Sequence, residues 1–228
     1  MKKTLTALIL GSLMCMSWAL AQTSPPVPGT SQAQRISLYE VPLVCPAAPQ
    51  IGCGSRSKPI LLALEQQAGV AEAWLNRSGT MIAIVWKPEA RRKARTSAFK
   101  AVSEKEGFHA RELNGAAKKK ALKDFLSGQG WFRGREVDRL SEEEAGIIAG
   151  RLVRRIQAKV TVTDETAKAL RTEIADVFNR RFTDDQADTE PNLEAQLLKV
   201  LRAHLNENDV ARLQETLPRN LRPSPGEK

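Results

Sequence analysis

Residues 70–86 read Val70-Ala71-Glu72-Ala73-Trp74-Leu75-Asn76, then Arg77-Ser78-Gly79, then Thr80-Met81-Ile82-Ala83-Ile84-Val85-Trp86. Two runs rich in β-branched and aromatic residues flank a short turn that carries glycine, which is the pattern of a β-hairpin. Upstream, the sequence predicts a helix from Ser57, with Pro59 in the first turn, where a missing N–H costs nothing. Ile60, Leu61 and Leu64 define its apolar positions and Gly69 ends it. Before that helix, Arg35-Ile36-Ser37-Leu38-Tyr39-Glu40-Val41 alternates apolar and polar residues as a half-buried strand does, and Pro42 predicts that this strand is an edge or is bulged. Downstream, Pro88 opens a basic helix through Arg92, Phe99 and Val102 towards Glu106. Gly107 stops it before a short strand between Phe108 and Leu113.

The resulting order is strand, helix, strand, strand, helix, strand. That is the split βαβ, or ferredoxin-like, arrangement, with helices on one face of a four-stranded antiparallel sheet. It is expected in residues 35–113. Residues 114–218 read as a small all-α domain of four or five short helices. A lysine-rich helix comes first, between Ala117 and Leu126. Ser141 with Glu144 then matches a capping box ahead of Ile147, Ile148, Leu152 and Ile156. Thr163 caps a helix with Ala167, Leu170, Ile174, Val177 and Phe178 on one face. Leu193, Leu197, Val200, Leu201 and Leu205 define another, and Asn206 with Asp209 starts the last, which Pro218 ends. The fold class is therefore α+β: a ferredoxin-like βαββαβ domain followed by a helical domain. Trp131 and Phe132 lie in a glycine-punctuated loop, where they read as a plug between domains or as an exposed partner patch.

The first residues address the compartment. Lys2 and Lys3 precede an apolar run over residues 5–20, which closes on Ala19-Leu20-Ala21. This predicts a signal peptide at residues 1–21 and a periplasmic or secreted mature protein. Cys15 follows Met14, whereas lipid attachment requires a small residue there. Residues 22–34, rich in Pro, Ser, Thr and Gln, read as a disordered linker, and residues 219–228 as a disordered tail. No later stretch has the length of a membrane span. The net charge is +9, of which two belong to Lys2 and Lys3, and acidic residues are interspersed with the basic ones. With only 5% aromatic residues the chain lacks the stacking platforms of single-stranded nucleic-acid binders. The expected partner is a protein or an envelope component, not nucleic acid.

Two cysteines remain after the leader, Cys45 and Cys53, between the first strand and the first helix. Residues 39–113 resemble a heavy-metal-associated domain, whose metal loop lies at that point and whose second-strand hairpin is similar to Val70-Ala71-Glu72-Ala73-Trp74-Leu75-Asn76-Arg77-Ser78-Gly79-Thr80. The resemblance implies the ferredoxin-like fold and a soft-metal loop. Here Pro46-Ala47-Ala48-Pro49-Gln50-Ile51-Gly52 separates the cysteines, where the family has two residues.

Three chemistries fit the pair. A structural disulfide suits an oxidising compartment and stabilises a loop this short by about 2–3 kcal/mol. A soft-metal site for Cu(I) or Zn(II) would use both thiolates, with neither His109 nor His204 near in sequence to add a ligand. A thiol–disulfide redox site would use Cys53, favoured as thiolate by the helix start and by Arg56 and Lys58, with Cys45 as the resolving partner. Gly52, Gly54, Ser55, Arg56 and Lys58 also have the composition of an anion-binding nest or, more simply, of a tight turn.

Catalysis finds little support elsewhere. The chain has one tyrosine, Tyr39, and two histidines, and no nucleophile stands beside an evident base. Glu142 and Glu143 complement a helix dipole. The run Asp184-Asp185-Gln186-Ala187-Asp188-Thr189-Glu190 lacks the glycine and distant glutamate of a calcium loop. A non-enzymatic binding or accessory protein is the favoured expectation, with a thiol-active accessory or a structural envelope protein as alternatives.

Overall fold

A computed structural model describes residues 30–184, 192–214, 221–224 and 226–227. The leader at 1–21 with Cys15, the linker up to residue 29, the acidic stretch 185–190 and Pro218 lie outside the described residues. The chain is α+β, as expected. Among the described residues the strands are β1 (Ile36–Glu40), β2 (Val70–Asn76), β3 (Met81–Trp86), β4 (Arg111–Glu112) and β5 (Trp131–Arg133). The helices are α1 (Gly54–Glu65), α2 (Arg92–Lys105), α3 (Gly115–Leu126), α4 (Asp138–Gln157), α5 (Asp164–Thr183), α6 (Leu193–His204) and α7 (Glu207–Gln214). Residues 30–34, expected in the linker, form with Arg35 a 3-10 helix leading into β1.

The strands form one antiparallel sheet in the order β4-β1-β3-β2-β5. The hairpin of β2 and β3 is closed by Gly79 at φ +70°, a conformation that costs a residue with a Cβ. The Asn76 side-chain oxygen accepts from the Thr80 and Met81 amides, both at 2.9 Å. Two expectations about the sheet are corrected. β1 is not an edge strand: it lies between β3 and β4, and Pro42 falls just past its end, between the amides of Val41 and Leu43, which continue the ladder to Thr80 and Gly79. The sheet has five strands rather than four, because Trp131–Arg133, read as loop, pairs with β2.

Both faces of the sheet are covered, not one. Tyr39, Ala73, Leu75, Ile82, Ile84 and Trp86 pack with Ile60, Leu61 and Leu64 of α1 and with Phe99 and Val102 of α2. The alternate residues Ile36, Leu38, Trp74, Ala83 and Val85 pack with Ala121 and Phe125 of α3 and with Trp131 of β5. Double coverage explains why Met81–Trp86 is a continuous apolar run rather than an alternating one. α3 and β5, which the sequence placed with the helical half, thus belong to the packing of the sheet. Trp131 is 1% exposed, so it forms no part of an exposed patch, and Phe132 is half-buried against the opposite face. The indole N–H groups of the three buried tryptophans are all matched: Trp74 donates to Glu72 at 3.0 Å, Trp86 to Ser37 at 3.0 Å and Trp131 to Asp124 at 3.2 Å.

A second core lies among α4, α5, α6 and α7, built on Ile148, Leu152, Leu170, Ile174, Phe178, Leu201 and Val210. Thr163 caps α5 by accepting the Thr166 amide at 3.2 Å, and Asn206 accepts the Asp209 amide at 3.0 Å. The expected capping box at Ser141 and Glu144 does not exist. α4 begins at Asp138, so both residues lie inside the helix, on its buried face. Leu140 joins the sheet core while Ala145 onwards joins the second core, which makes α4 a spine common to both. The described tail residues lie along it: Arg151 donates to the Leu221 carbonyl at 2.8 Å and Arg155 pairs with Glu227 at 2.8 Å.

α4 meets the start of α1 at very short range. A Cβ on Gly54 would lie 2.3 Å from the Ser141 hydroxyl oxygen and 2.5 Å from the Val137 carbonyl oxygen. Gly54→Ala is therefore expected to destabilise by about 1–3 kcal/mol through overpacking. Gly146→Ala, where nothing lies within 4 Å of the added carbon, is expected to stabilise by roughly 0.5–1 kcal/mol through helix propensity. Denaturant unfolding of both variants checks the contact; a neutral Gly54→Ala would rule it out.

Candidate functional site

The site is assembled from a loop, a helix start and one face of α4. After Leu43 the chain makes a small hairpin of its own. The Cys45 amide donates to Ile51 at 2.9 Å, the Cys53 amide to Leu43 at 2.8 Å and the Gly52 amide to Arg77 at 2.7 Å. Val44 and Gly52 form an isolated antiparallel bridge. Pro46, Pro49 and Gln50 are exposed at the tip, while Ala48 and Ile51 turn inward to pack with the two cysteines. Gly52 is required by contact: a Cβ there would meet the Gly79 Cα at 2.9 Å.

Cys53 is the N-cap residue of α1, so the helix begins three residues earlier than the sequence predicted. Its sulfur lies 3.4 Å from the Ser55 hydroxyl. Cys45 is fully buried, and its sulfur accepts the Ala48 amide at 3.2 Å. Both cysteines are free thiols, so the expected Cys45–Cys53 disulfide is not formed in this structure. The third member is Glu144 of α4. The two sulfurs and a Glu144 carboxylate oxygen all lie within 4.8 Å of one another, and all three residues are buried.

The electrostatics of the three groups are linked. The Cys53 pKa is lowered, first by the neighbouring Cys45 thiol and then by the Ser55 hydroxyl and by the amide and guanidinium of Arg56, against the opposing effect of burial. The helix start acts in the same direction. Cys45 is raised by its contact with Cys53, by burial and by Glu144. Glu144 is pushed up to about 7, chiefly by burial, with the Cys45 thiol working the other way and the negative charge of Cys53 adding to the rise. A thiolate at Cys53 beside a protonated or hydrogen-bonded Glu144 is the arrangement these shifts favour.

Around this triad the face of α4 carries further unmatched polarity. The Ser141 hydroxyl, the Glu144 Oε2 and the Arg151 Nε are buried and have no hydrogen-bond partner. Arg151 is 2% exposed and stands two turns along from Glu144; burial opposes its charge, while Glu227 and Cys45 support it. Such a concentration of unpaired buried polar groups costs stability wherever nothing else compensates it.

The sequence-predicted residues divide clearly. Cys45 and Cys53 come together. Gly52 and Gly54 serve close packing, and neither has positive φ. Ser55 contacts the Cys53 sulfur, and Arg56 is exposed. Lys58 is engaged elsewhere: it pairs with Asp138 at 3.1 Å and donates to the Thr183 carbonyl at 3.2 Å. His109 is exposed, and His204 is bonded to Glu173 at 2.7 Å, both outside the triad. Sequence reasoning missed Glu144, Ser141 and Arg151. The available signal was that these polar residues recur at helical spacing among the apolar positions Leu140, Ala145, Ile148 and Leu152.

Glu144 holds its proton in the fold at pH values where the unfolded chain, with an ordinary value of 4.5, has lost it. Its contribution to stability is therefore complete below pH 4.5 and disappears as pH rises through about 7. In the reduced protein, the stability of Glu144→Gln relative to the original chain is expected to increase across that window in denaturant titrations. A pH-independent difference would mean that the carboxyl is solvated.

No family model, curated protein or solved structure matches the chain, so the functional reading rests on the geometry of this cluster.

Proposed function

We propose that this chain is an exported, non-enzymatic binding or accessory protein that carries one soft metal ion, Cu(I) or Zn(II), as cargo on the thiolates of Cys45 and Cys53. The observation that carries the reading is the convergence of two free buried sulfurs within 4.8 Å, one of them at the N-cap of α1. Thiolates are the ligands that soft and borderline ions select, and a cysteine already shifted towards its thiolate gives up little proton affinity on binding. A Glu144 carboxylate oxygen within 4.8 Å of both sulfurs supports a polar lining on that side of the pocket. The donor set therefore fits a metal better than it fits a dry hydrophobic staple.

The strand order β4-β1-β3-β2, with α1 and α2 on one face, supports reading this part as a ferredoxin-like unit similar to heavy-metal-associated domains. β5 and α3 extend that unit. The cysteine loop occupies the place that the resemblance implies, between β1 and α1. Lys2, Lys3 and the apolar run closing at Ala21 support export. Among the described residues no helix is long and apolar enough to cross a membrane.

A second reading is favoured by one observation, the place of Cys53 at the N-cap of α1 with the Cys45 sulfur within 4.8 Å, where the helix start favours its thiolate. In that reading the Cys53 thiolate attacks a partner disulfide and releases one partner thiolate. Cys45 then loses its proton and displaces the second, leaving a Cys45–Cys53 disulfide and a reduced partner.

Titration of the reduced mature protein with Cu(I) and with Zn(II), each against a competing chromophoric chelator, separates the readings. One equivalent is expected, and it is lost in Cys45→Ser and in Cys53→Ser while far-UV circular dichroism is retained. Absence of uptake of both ions, with a dithiol that cycles readily against glutathione, would replace the metal reading with the redox one.

A further inference from the structure

Resting on the metal reading above, we propose that Glu144 is a third ligand of the cysteine site and that, with Arg151 nearby, it makes the site selective for a divalent borderline ion of the Zn(II) class over Cu(I). The ligand comes from α4, far along the chain from the cysteine loop, and reaches the sulfurs only because α4 packs on the first turn of α1.

Three observations carry this. The first is placement: a Glu144 carboxylate oxygen lies within 4.8 Å of both sulfurs, and the three side chains are buried together. The second is an unmet demand: Glu144 is 5% exposed and its Oε2 has no partner, while Ser141, one turn earlier on the same face, presents a second buried oxygen without one. A buried carboxyl with one oxygen beside two thiols and its Oε2 without a hydrogen-bond partner is costly unless a cation or proton completes it. The third is charge. Two thiolates and a carboxylate bring three negative charges into an apolar junction. A divalent ion together with the buried Arg151 guanidinium, which is close enough to feel the charge of Cys45, cancels them. A monovalent ion leaves one negative charge uncompensated.

Ligand chemistry points the same way. A carboxylate oxygen is a hard donor that zinc accepts readily, whereas Cu(I) is satisfied by two thiolates and gains little from it. Glu144 thus adds affinity to one ion and mainly buried charge to the other. The Lys58–Asp138 ion pair at 3.1 Å holds α1 against the start of α4 and keeps the ligand in register with the loop.

The test compares Zn(II) and Cu(I) affinities of the full mature chain and of Glu144→Gln, which keeps size and removes the charge. Zn(II) affinity is expected to fall at least about tenfold, since even outer-shell losses typically cost about 10–100-fold. Cu(I) affinity is expected to change by less than about threefold, the scale of losing a ligand that contributes little to it. Co(II) serves as a spectroscopic probe, and its visible bands should differ between the two proteins. Equal losses for both ions, or an unchanged Zn(II) affinity, would overturn the role of Glu144 while leaving the two-thiolate site intact. Failure of the original chain to bind either ion would overturn the underlying metal reading as well. A measurement on the unaltered protein guards against a variant that does not fold: infrared difference spectra should show a carboxylate change on Zn(II) loading and none on Cu(I) loading. Identical carboxylate responses to the two ions would count against the proposal.

Discussion

The structure depends on the contact between the first turn of α1 and the first turns of α4. At Gly54 there is no room for a side-chain carbon, because the Ser141 hydroxyl and the Val137 carbonyl occupy that space. The Lys58–Asp138 pair reinforces the same junction from one turn further along α1. Everything specific about the cysteine loop follows from this approach. Cys53 is fixed as the N-cap of α1, and Glu144, two turns into α4, is delivered to the sulfurs. A longer side chain at residue 54 would push α4 away, separating the carboxylate from the thiols and the helical core from the sheet core at once.

That junction combines two opposed physical requirements. Leu140 and Val137 belong to the sheet core and Ala145 onwards to the helical core, so α4 contributes apolar area on both sides. Between them Ser141, Glu144 and Arg151 place polar atoms where water is excluded and partners are missing. Burying such groups without partners costs of the order of 1–3 kcal/mol apiece, which a core optimised for stability alone would avoid. Local conflict of this kind is typical of sites where chemistry, rather than packing, sets the residue. The proximity of Cys45 and Cys53 to Glu144 gives the conflict a chemical meaning that the apolar surroundings do not.

The loop is held in a way that suits a binding site. Its backbone is closed by the hydrogen bond from the Cys45 amide to the Ile51 carbonyl and held by those from the Gly52 and Cys53 amides to the Arg77 and Leu43 carbonyls, and the ladder beyond β1 runs on past Pro42 through Val41 and Leu43. The sulfurs therefore stand on a hydrogen-bonded extension of the sheet. Ala48 donates to the Cys45 sulfur and Ser55 contacts the Cys53 sulfur, so each thiol has a defined direction.

Much of the architecture was legible in the chain itself. The apolar alternation of β1, the hairpin of β2 and β3, the glycine after α2 and the caps at Thr163 and Asn206 are local signals, each settled by neighbouring residues, and they appear where the sequence places them. The continuous run Met81–Trp86 also carried, unread, the information that the sheet is buried on both faces. The closeness of Cys45 and Cys53 was legible for the same reason, since their loop closes over a few residues. Tertiary structure alone decided the rest. Trp131–Arg133 is too short and too glycine-flanked to announce a strand, and becomes one only because β2 offers an open edge. Ser141 and Glu144 satisfy a capping pattern locally, and what buries both, and brings Glu144 to two cysteines, is the packing of α4 on the start of α1, far earlier in the chain. A sequence motif records which bonds a residue is able to make with its neighbours; burial against a distant element determines which of those bonds remain available.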